Sequence, residues 1–367
     1  MIKFLDLYKQ DKLLHKKILK KIDKLFKRGD FILGSEVELF EKKFSKFCGS
    51  KYAISCANGT DALTLALKVL DLPKNSEVII PAMTYCSTAF SIINANLKPV
   101  LVDIETLGST ICIKDLKKKL NGKTKVILPV HLYGSVANLY EIKKIIKSKN
   151  IYLIDDCAQA HGAFDDSNYR IKRKIKIGSA TDMSCFSLYP GKNLGAYGDA
   201  GIITTNNPIF YKKLRKLRNL GSEKKFIHEH IGFNSRLDTI QAIILNEKIN
   251  YLEANNQKRK KIAKFYNEKI KNSKITKINY SKSCVFHQYI ILVNNRKKLV
   301  KFLEQKKIQF GFHYPFAIHQ LKVFKKNYKR TSFKNAERLA KQSLSLPVDP
   351  NLSFKDLNII VNTLNKF

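Results

Sequence analysis

Near the N-terminus, Leu14, Ile18, Ile22, Leu25 and Phe26 recur at helical spacing, interleaved with Lys16, Lys17, Lys20, Lys21, Lys24 and Lys27. That pattern predicts an amphipathic helix with a basic outer face. Ser35-Glu36-Val37-Glu38 has the form of a capping box and predicts a second helix carrying Leu39, Phe40, Phe44 and Phe47. A third helix is expected from about Thr60 to Leu70. Short apolar runs follow at Val78–Pro81, Val100–Asp103, Val126–Val130, Ile151–Ile154, Met183–Leu188 and Gly201–Thr204. Helical stretches such as Asp115–Leu120 and Leu139–Ser148 separate several of them. Buried strands alternating with helices predict an α/β fold: a mostly parallel sheet with helices on both faces. Functional residues then belong just past the carboxyl ends of the strands.

After about Asn250 the texture changes. A long basic helix, Gln257–Lys271, leads into a strand pattern at Val285–Val293, a helix at Arg296–Lys306 and a last helix at Phe354–Lys366. This reads as a smaller C-terminal α+β domain, 251–367, behind a large domain, 1–250. A chain of 367 residues is long enough for two such cores. No internal repeat or low-complexity linker interrupts it.

Composition narrows the class. With 44% hydrophobic and 27% charged residues the chain is globular, and its apolar runs are too short to span a bilayer. Met1-Ile2-Lys3-Phe4-Leu5-Asp6 lacks the apolar stretch of a secretory signal. Seven cysteines without C-x-x-C spacing point to reduced thiols in a cytoplasm, and away from a disulfide scaffold or a zinc site. The formal charge of +38 raises the question of nucleic acid. The lysines are dispersed, no nucleic-acid-binding motif accompanies them, and solvated helix faces account for them better. A general attraction for anionic substrates still follows.

Four segments carry candidate chemistry. In Phe186-Ser187-Leu188-Tyr189-Pro190-Gly191-Lys192-Asn193-Leu194-Gly195 a strand ends in a Pro-Gly turn that presents one lysine, with the Gly-rich 195–201 behind it. A lysine beside a desolvated pocket can lose its proton and act as a Schiff-base nucleophile. Asp155 and Asp156 end a buried strand; either they cap a helix, or one keeps a pyridine nitrogen protonated. Asn58-Gly59-Thr60-Asp61 precedes a helix and offers an anion site. Tyr85, in Pro81-Ala82-Met83-Thr84-Tyr85, could stack on a planar heterocycle. A phosphate cradle, a ring stacker, a pyridinium partner and an amine are what pyridoxal 5'-phosphate requires. No metal site is expected.

The same segments resemble the DegT/DnrJ/EryC1/StrS family of fold-type I, PLP-dependent aminotransferases acting on nucleotide-linked keto-sugars. The resemblance runs from Phe4-Leu5-Asp6-Leu7 through Ala57-Asn58-Gly59-Thr60-Asp61-Ala62-Leu63, Pro129-Val130-His131-Leu132-Tyr133-Gly134 and Asp155-Asp156-Cys157-Ala158-Gln159-Ala160-His161-Gly162-Ala163. It continues to Gly232-Phe233-Asn234-Ser235-Arg236-Leu237-Asp238, His313-Tyr314-Pro315 and Leu344-Ser345-Leu346-Pro347. It implies that Lys192 binds the cofactor covalently, that Asp156 pairs with the pyridinium nitrogen and that Gln159, one helical turn on, reaches the ring hydroxyl. It further implies that Tyr85 stacks on the ring, that Gly59, Thr60 and Ser187 hold the phosphate, and that Asn234 reaches it from the neighbouring subunit of a homodimer. Tyr189, His313, Tyr314 and His319 fall where the family binds the nucleotide-sugar. Arg236 is an interface residue or a substrate ligand. His131 contacts the cofactor or, the favoured reading, makes a structural hydrogen bond; His161 stays open in the same way. Asp155 stands where the family usually has Glu, and Asn168–Ile177 lacks the family's glycine-containing turn.

The turn at Tyr189–Gly195, with Gly198-Asp199-Ala200-Gly201 behind it, resembles the branch that aminates C-3 of dTDP-3-keto-6-deoxyhexoses. The C-4 branch more often has another residue at the Tyr189 position and Gly-Glu-Gly-Gly further on. The expected reaction moves an amino group from L-glutamate to C-3, giving a dTDP-3-amino-3,6-dideoxyhexose for surface glycans such as lipopolysaccharide O-antigen. The alternatives are amination at C-4 of a dTDP-, UDP- or GDP-4-keto-6-deoxyhexose, or at C-3 of a UDP-3-keto sugar. The related sugar dehydratases replace the anchoring lysine with histidine, which Lys192 argues against. No membrane association is expected.

Overall fold

The structure, a computed structural model, describes the whole chain except residues 168–173, 225 and 330. The basic helix, α1 (His15–Arg28), buries Ile18 and Leu25. Phe26 leaves the stripe and is 60% exposed, because one residue past Leu25 turns it about 100° round the helix. The next helix, α2 (Ser35–Cys48), does not open on a capping box. Gly34 is its N-cap, so Ser35 already lies in the first turn and its hydroxyl bonds to Glu36 instead.

Seven strands form the central sheet: β1 (Tyr52–Cys56), β2 (Glu77–Pro81), β3 (Lys98–Val102), β4 (Thr124–Ile127), β5 (Tyr152–Asp156), β6 (Met183–Ser187) and β7 (Gly201–Thr205). Their order is β1-β7-β6-β5-β4-β2-β3. β7 is antiparallel to both neighbours, and the other pairs are parallel. All five residues of β2 and of β7 are buried, which explains why these strands read as unbroken apolar runs. One face packs on α3 (Gly59–Lys68) and α4 (Cys86–Asn94) through Leu63, Leu67, Ala89 and Ile92. The other packs on α2 and α5 (Leu139–Ile146) through Phe40, Phe44 and Ile142.

Beyond α6 (Leu252–Lys269) a second, antiparallel sheet forms from β8 (Ile275–Lys277), β9 (Tyr289–Val293) and β10 (Ser343–Leu346). Its core joins Tyr266, Tyr289, Leu299, Leu344 and Ile360, and Ile2 from the far N-terminus pairs with Ile308 beside it. Residues Ile318, Phe324, Phe333 and Leu339 pack instead into the α3–α4 core, so the C-terminal region closes over the large sheet. The strand expected from Val285 starts only at Tyr289, and residues 285–288 form a connecting loop. Among the described residues no helix is long and apolar enough to cross a membrane.

Candidate active site

The carboxyl ends of β2, β5 and β6 and the N-terminus of α3 converge on one cavity of ≈ 790 Å³. Gly59, Thr60, Tyr85, Asp156, Gln159, Ser187, Tyr189, Lys192, His313 and Tyr314 all line it. β5 separates the two adjacent aspartates by the alternation of a strand. Asp156 faces the cavity, whereas Asp155 is fully buried outside its lining. Asp155 accepts a hydrogen bond from Thr181 at 2.6 Å and lies 3.0 Å from His131 Nε2. Those partners outweigh its burial and hold its carboxyl below the usual range. The His131 Nδ1 accepts from the Ala137 N–H at 3.1 Å, so in the neutral ring Nε2 carries the proton and donates it to Asp155. The favoured structural reading of His131 is therefore the observed one. Beside this pair, burial pushes the Cys157 thiol up, and its Sγ lies 3.6 Å from the Asp155 carbonyl oxygen.

Asp156 ends β5 in a tight turn, not a helix, so the helix-cap reading of this segment does not hold. Its Oδ1 accepts from the Ala158 N–H at 3.1 Å and its Oδ2 from the Thr88 hydroxyl at 2.8 Å. Burial nevertheless raises its carboxyl above the usual range, against the pull of these donors and of Lys192. Lys192 follows the Pro-Gly turn, its N–H bonded to the Tyr189 carbonyl at 2.9 Å. The turn is tight enough that a Cβ at Gly195 would lie 2.3 Å from the Pro190 carbonyl oxygen. Burial pushes the Lys192 amine down to about 8, and Asp156 opposes that shift. A carboxyl and an amine thus face one cavity, each driven toward its neutral form.

The cradle at α3 is built by close approach. Asn58 caps the helix, accepting from the Asp61 N–H at 2.8 Å. A Cβ on Gly59 would stand 2.6 Å from Ser187 Cβ, so only glycine lets the helix meet the end of β6. Thr60 donates to Ser87 at 2.8 Å, adding a hydroxyl to the free N–H groups of the first turn. Gln159 accepts from the Tyr133 N–H at 2.6 Å and donates to the Tyr314 hydroxyl at 3.0 Å. The Tyr314 ring lies 5.3 Å from that of Tyr85. His313 stacks on Phe4, bonds to Ser345 through Nδ1 at 2.8 Å, and is pushed down to about 4 by burial and by Lys192.

His319 is not at the cavity. Its buried Nε2 lies 3.0 Å from Glu337 and its ring packs edge-on against Phe333, which corrects its expected place in the substrate site. Asn234 is exposed and does not line the cavity of its own chain. The adjacent Ser235 ties that segment to the cradle by donating to Asp61 at 2.6 Å. Arg236 bonds to Asn219 at 3.4 Å. His161 packs against Phe186 outside the cavity lining, and burial pushes its ring down to about 3. Sequence reasoning passed over Ser87, Thr88, His287 and Gln288. The run Thr84-Tyr85-Cys86-Ser87-Thr88 after a strand was a legible hydroxyl signal; His287 and Gln288 were hidden in the overlong strand assignment.

The chain belongs to the DegT/DnrJ/EryC1/StrS aminotransferase family, whose model matches residues 12–365. It is 39% identical to the dTDP-3-amino-3,6-dideoxy-alpha-D-galactopyranose transaminase of Aneurinibacillus thermoaerophilus, over 100% of this chain and 99% of that one. It is 34% identical to the UDP-N-acetyl-3-dehydro-alpha-D-glucosamine 3-aminotransferase of Acidithiobacillus ferrooxidans, over 96% and 94%. The crystal structure of S. venezuelae DesV in complex with a ketimine intermediate superposes with a TM-score of 0.94 at 30% identity, over 100% of this chain and 98% of that one. The enzyme is accordingly a PLP-dependent sugar aminotransferase. The residues present fit that cofactor: a hydroxyl-lined helix N-terminus for a phosphate, a buried carboxylate that a cationic ring nitrogen would satisfy, and an amine poised for an aldehyde.

Proposed function

We propose that this enzyme transfers the amino group of L-glutamate to C-3 of a dTDP-3-keto-6-deoxyhexose, giving a dTDP-3-amino-3,6-dideoxyhexose. The observation that carries this reading is the end-to-end similarity to the Aneurinibacillus transaminase. Tyr189, three residues before Lys192, lines the same cavity, and in this reading it would stand beside the sugar ring. A second reading, a UDP-3-keto sugar, is favoured by the Acidithiobacillus relative. Synthetic dTDP-3-keto, dTDP-4-keto and UDP-3-keto sugars, with NMR of the products, separate the readings. Exclusive turnover of the 4-keto sugar would sink the C-3 assignment.

In this mechanism the bound cofactor supplies an electron sink and carries nitrogen between the two substrates. Lys192 would hold it through its amine, Asp156 would pair with its ring nitrogen, Tyr85 would cover the ring, and Gly59, Thr60, Ser87 and Ser187 would receive the phosphate. Gln159, with one amide proton committed to Tyr314, keeps a second for the ring hydroxyl. With the cofactor bound, the released Lys192 amine would take the proton from the donor's alpha carbon and pass it to the cofactor, and in the sugar half-reaction it would take a proton back from the cofactor and deliver it to the sugar carbon. His313 and Tyr314 line the same cavity and would face the sugar.

The working unit in this proposal is a homodimer. Leu220, Ile227, Ile231 and Phe233 are 36–98% exposed around Asn234, an apolar surface that a second copy would cover while carrying Asn234 to the phosphate. The large domain spans 1–250 and the smaller 251–367. The compartment is the cytoplasm, where the product enters surface glycan synthesis.

A further inference from the structure

Lys192 and its neighbour Asn193 leave the same turn in different directions. Lys192 lines the cavity, while the Asn193 side chain enters a buried relay that reaches into the C-terminal region. Asn193 Nδ2 donates to the Val285 carbonyl at 3.2 Å and to Asn256 Oδ1 at 2.8 Å. Asn256 Nδ2 in turn donates to the His161 carbonyl at 2.8 Å. Backbone carbonyls only accept, so Val285 and His161 fix the orientation of both amides. Asn193 must therefore present its oxygen to His287 Nδ1, 3.2 Å away. That oxygen demands a donor, and the His287 proton sits on Nδ1. Nε2 is left as an acceptor, and among the described residues it takes only one long bond, from the Gln288 amide N–H at 3.5 Å, which a hydroxyl in the cavity His287 lines would displace. Gln288 lines the same wall, and among the described residues its buried Oε1 has no hydrogen-bond partner.

We propose that His287 is a specificity residue of the sugar half-reaction, its Nε2 accepting a hydrogen bond from a hydroxyl of the keto-sugar, with Asn193 and Asn256 as positioning residues that fix its tautomer. Acceptors at this wall select a hydroxyl. The amino donor offers carboxylates, which are acceptors themselves and gain nothing there. Burial and Lys192 push the His287 ring well below its ordinary value, so the ring stays neutral and the lone pair stays available through the neutral pH range.

This inference rests on the aminotransferase reading, and its test keeps the two apart. In holoenzyme, His287→Phe keeps the ring and removes the acceptor. It raises KM for the keto-sugar about tenfold or more, the worth of one hydrogen bond to a neutral acceptor, with kcat changed little. The amino-donor half-reaction, followed by cofactor absorbance, keeps its rate. Calorimetry shows the amino-sugar product binding correspondingly more weakly, and His287→Gln, which can offer an oxygen in the same place, recovers most of the loss. Nitrogen NMR of 15N-histidine-labelled wild-type enzyme shows a neutral, Nδ1-protonated ring, a readout that needs no variant to fold. An Nε2-protonated ring, an unchanged sugar KM, or an equal fall in both half-reactions would overturn the proposal. Failure of the wild type to aminate any keto-sugar while its donor half-reaction proceeds would instead overturn the substrate reading.

Discussion

Thr88 on α4 donates its hydroxyl proton to Asp156 Oδ2 across 2.8 Å, and Thr84, 2.8 Å further back, must then donate to Thr88. A carboxylate held this way at both oxygens cannot rotate, which fixes the edge it turns to the cavity. Asp156→Asn removes the charge and leaves the shape. The rate should fall by several orders of magnitude with the fold intact by circular dichroism. Thr88→Val keeps the carboxylate but frees it, and kcat/KM should fall by about tenfold, or about 1.4 kcal/mol. A loss under tenfold in Asp156→Asn would assign the ring-nitrogen role to another group. Asp155 is no substitute on geometry, since it is spent on His131 and Thr181.

The depressed pKa of Lys192 makes a pH prediction. The neutral amine is the reactive form, so the rate of cofactor uptake by stripped enzyme should rise with pH and level off above about 8, not continue toward 10.5. Asp156 holds the value up, so in Asp156→Asn the profile should move to lower pH. Stability follows the same sign. Between about 8 and 10.5 the unfolded chain holds a proton that the folded one has released. The contribution of this lysine to the stability of stripped enzyme therefore rises with pH across that window. A profile still climbing at pH 10 would contradict the desolvated amine.

At the cradle, Gly59→Ala drives a methyl group to 2.6 Å from Ser187 Cβ. Either the end of β6 or the first turn of α3 must move, and the anion site between them widens. Cofactor affinity, titrated by absorbance, should weaken at least tenfold with little change in the circular dichroism spectrum. Unchanged affinity would place the phosphate elsewhere.

Shared active sites predict that light scattering gives a dimer and that Asn234→Ala weakens cofactor retention, although Asn234 does not line the cavity of its own chain. Mixing Asn234→Ala with Lys192→Ala should then form heterodimers in which one site is intact, restoring part of the activity. A fully active monomer would contradict this arrangement.

Much of this architecture was legible in the sequence because the sheet is buried on both faces. Runs such as Glu77–Pro81 and Gly201–Thr205 have no polar side to disguise them. The cavity residues were legible where a turn or a helix start concentrates them, as at Asn58–Asp61 and Ser187–Lys192. β1 escaped because Tyr52–Cys56 is short and mixed in polarity. His287 and Gln288 escaped because Val285-Phe286 continues the apolar pattern of β9 backwards, and only the long-range bonds from Asn193 show that the chain turns there. His319 misled for the converse reason: its neighbours in sequence, His313 and Tyr314, reach the cavity, but its own ring is claimed by Glu337.

The central claim is that Lys192 carries the cofactor, and the most direct test is chemical. Holoenzyme is reduced with borohydride, digested, and its peptides weighed. The account predicts the mass of the reduced cofactor on the peptide bearing Lys192 and on no other, with the label lost in Lys192→Ala. Label on a different lysine, or an unlabelled Lys192 peptide from fully loaded enzyme, would contradict it.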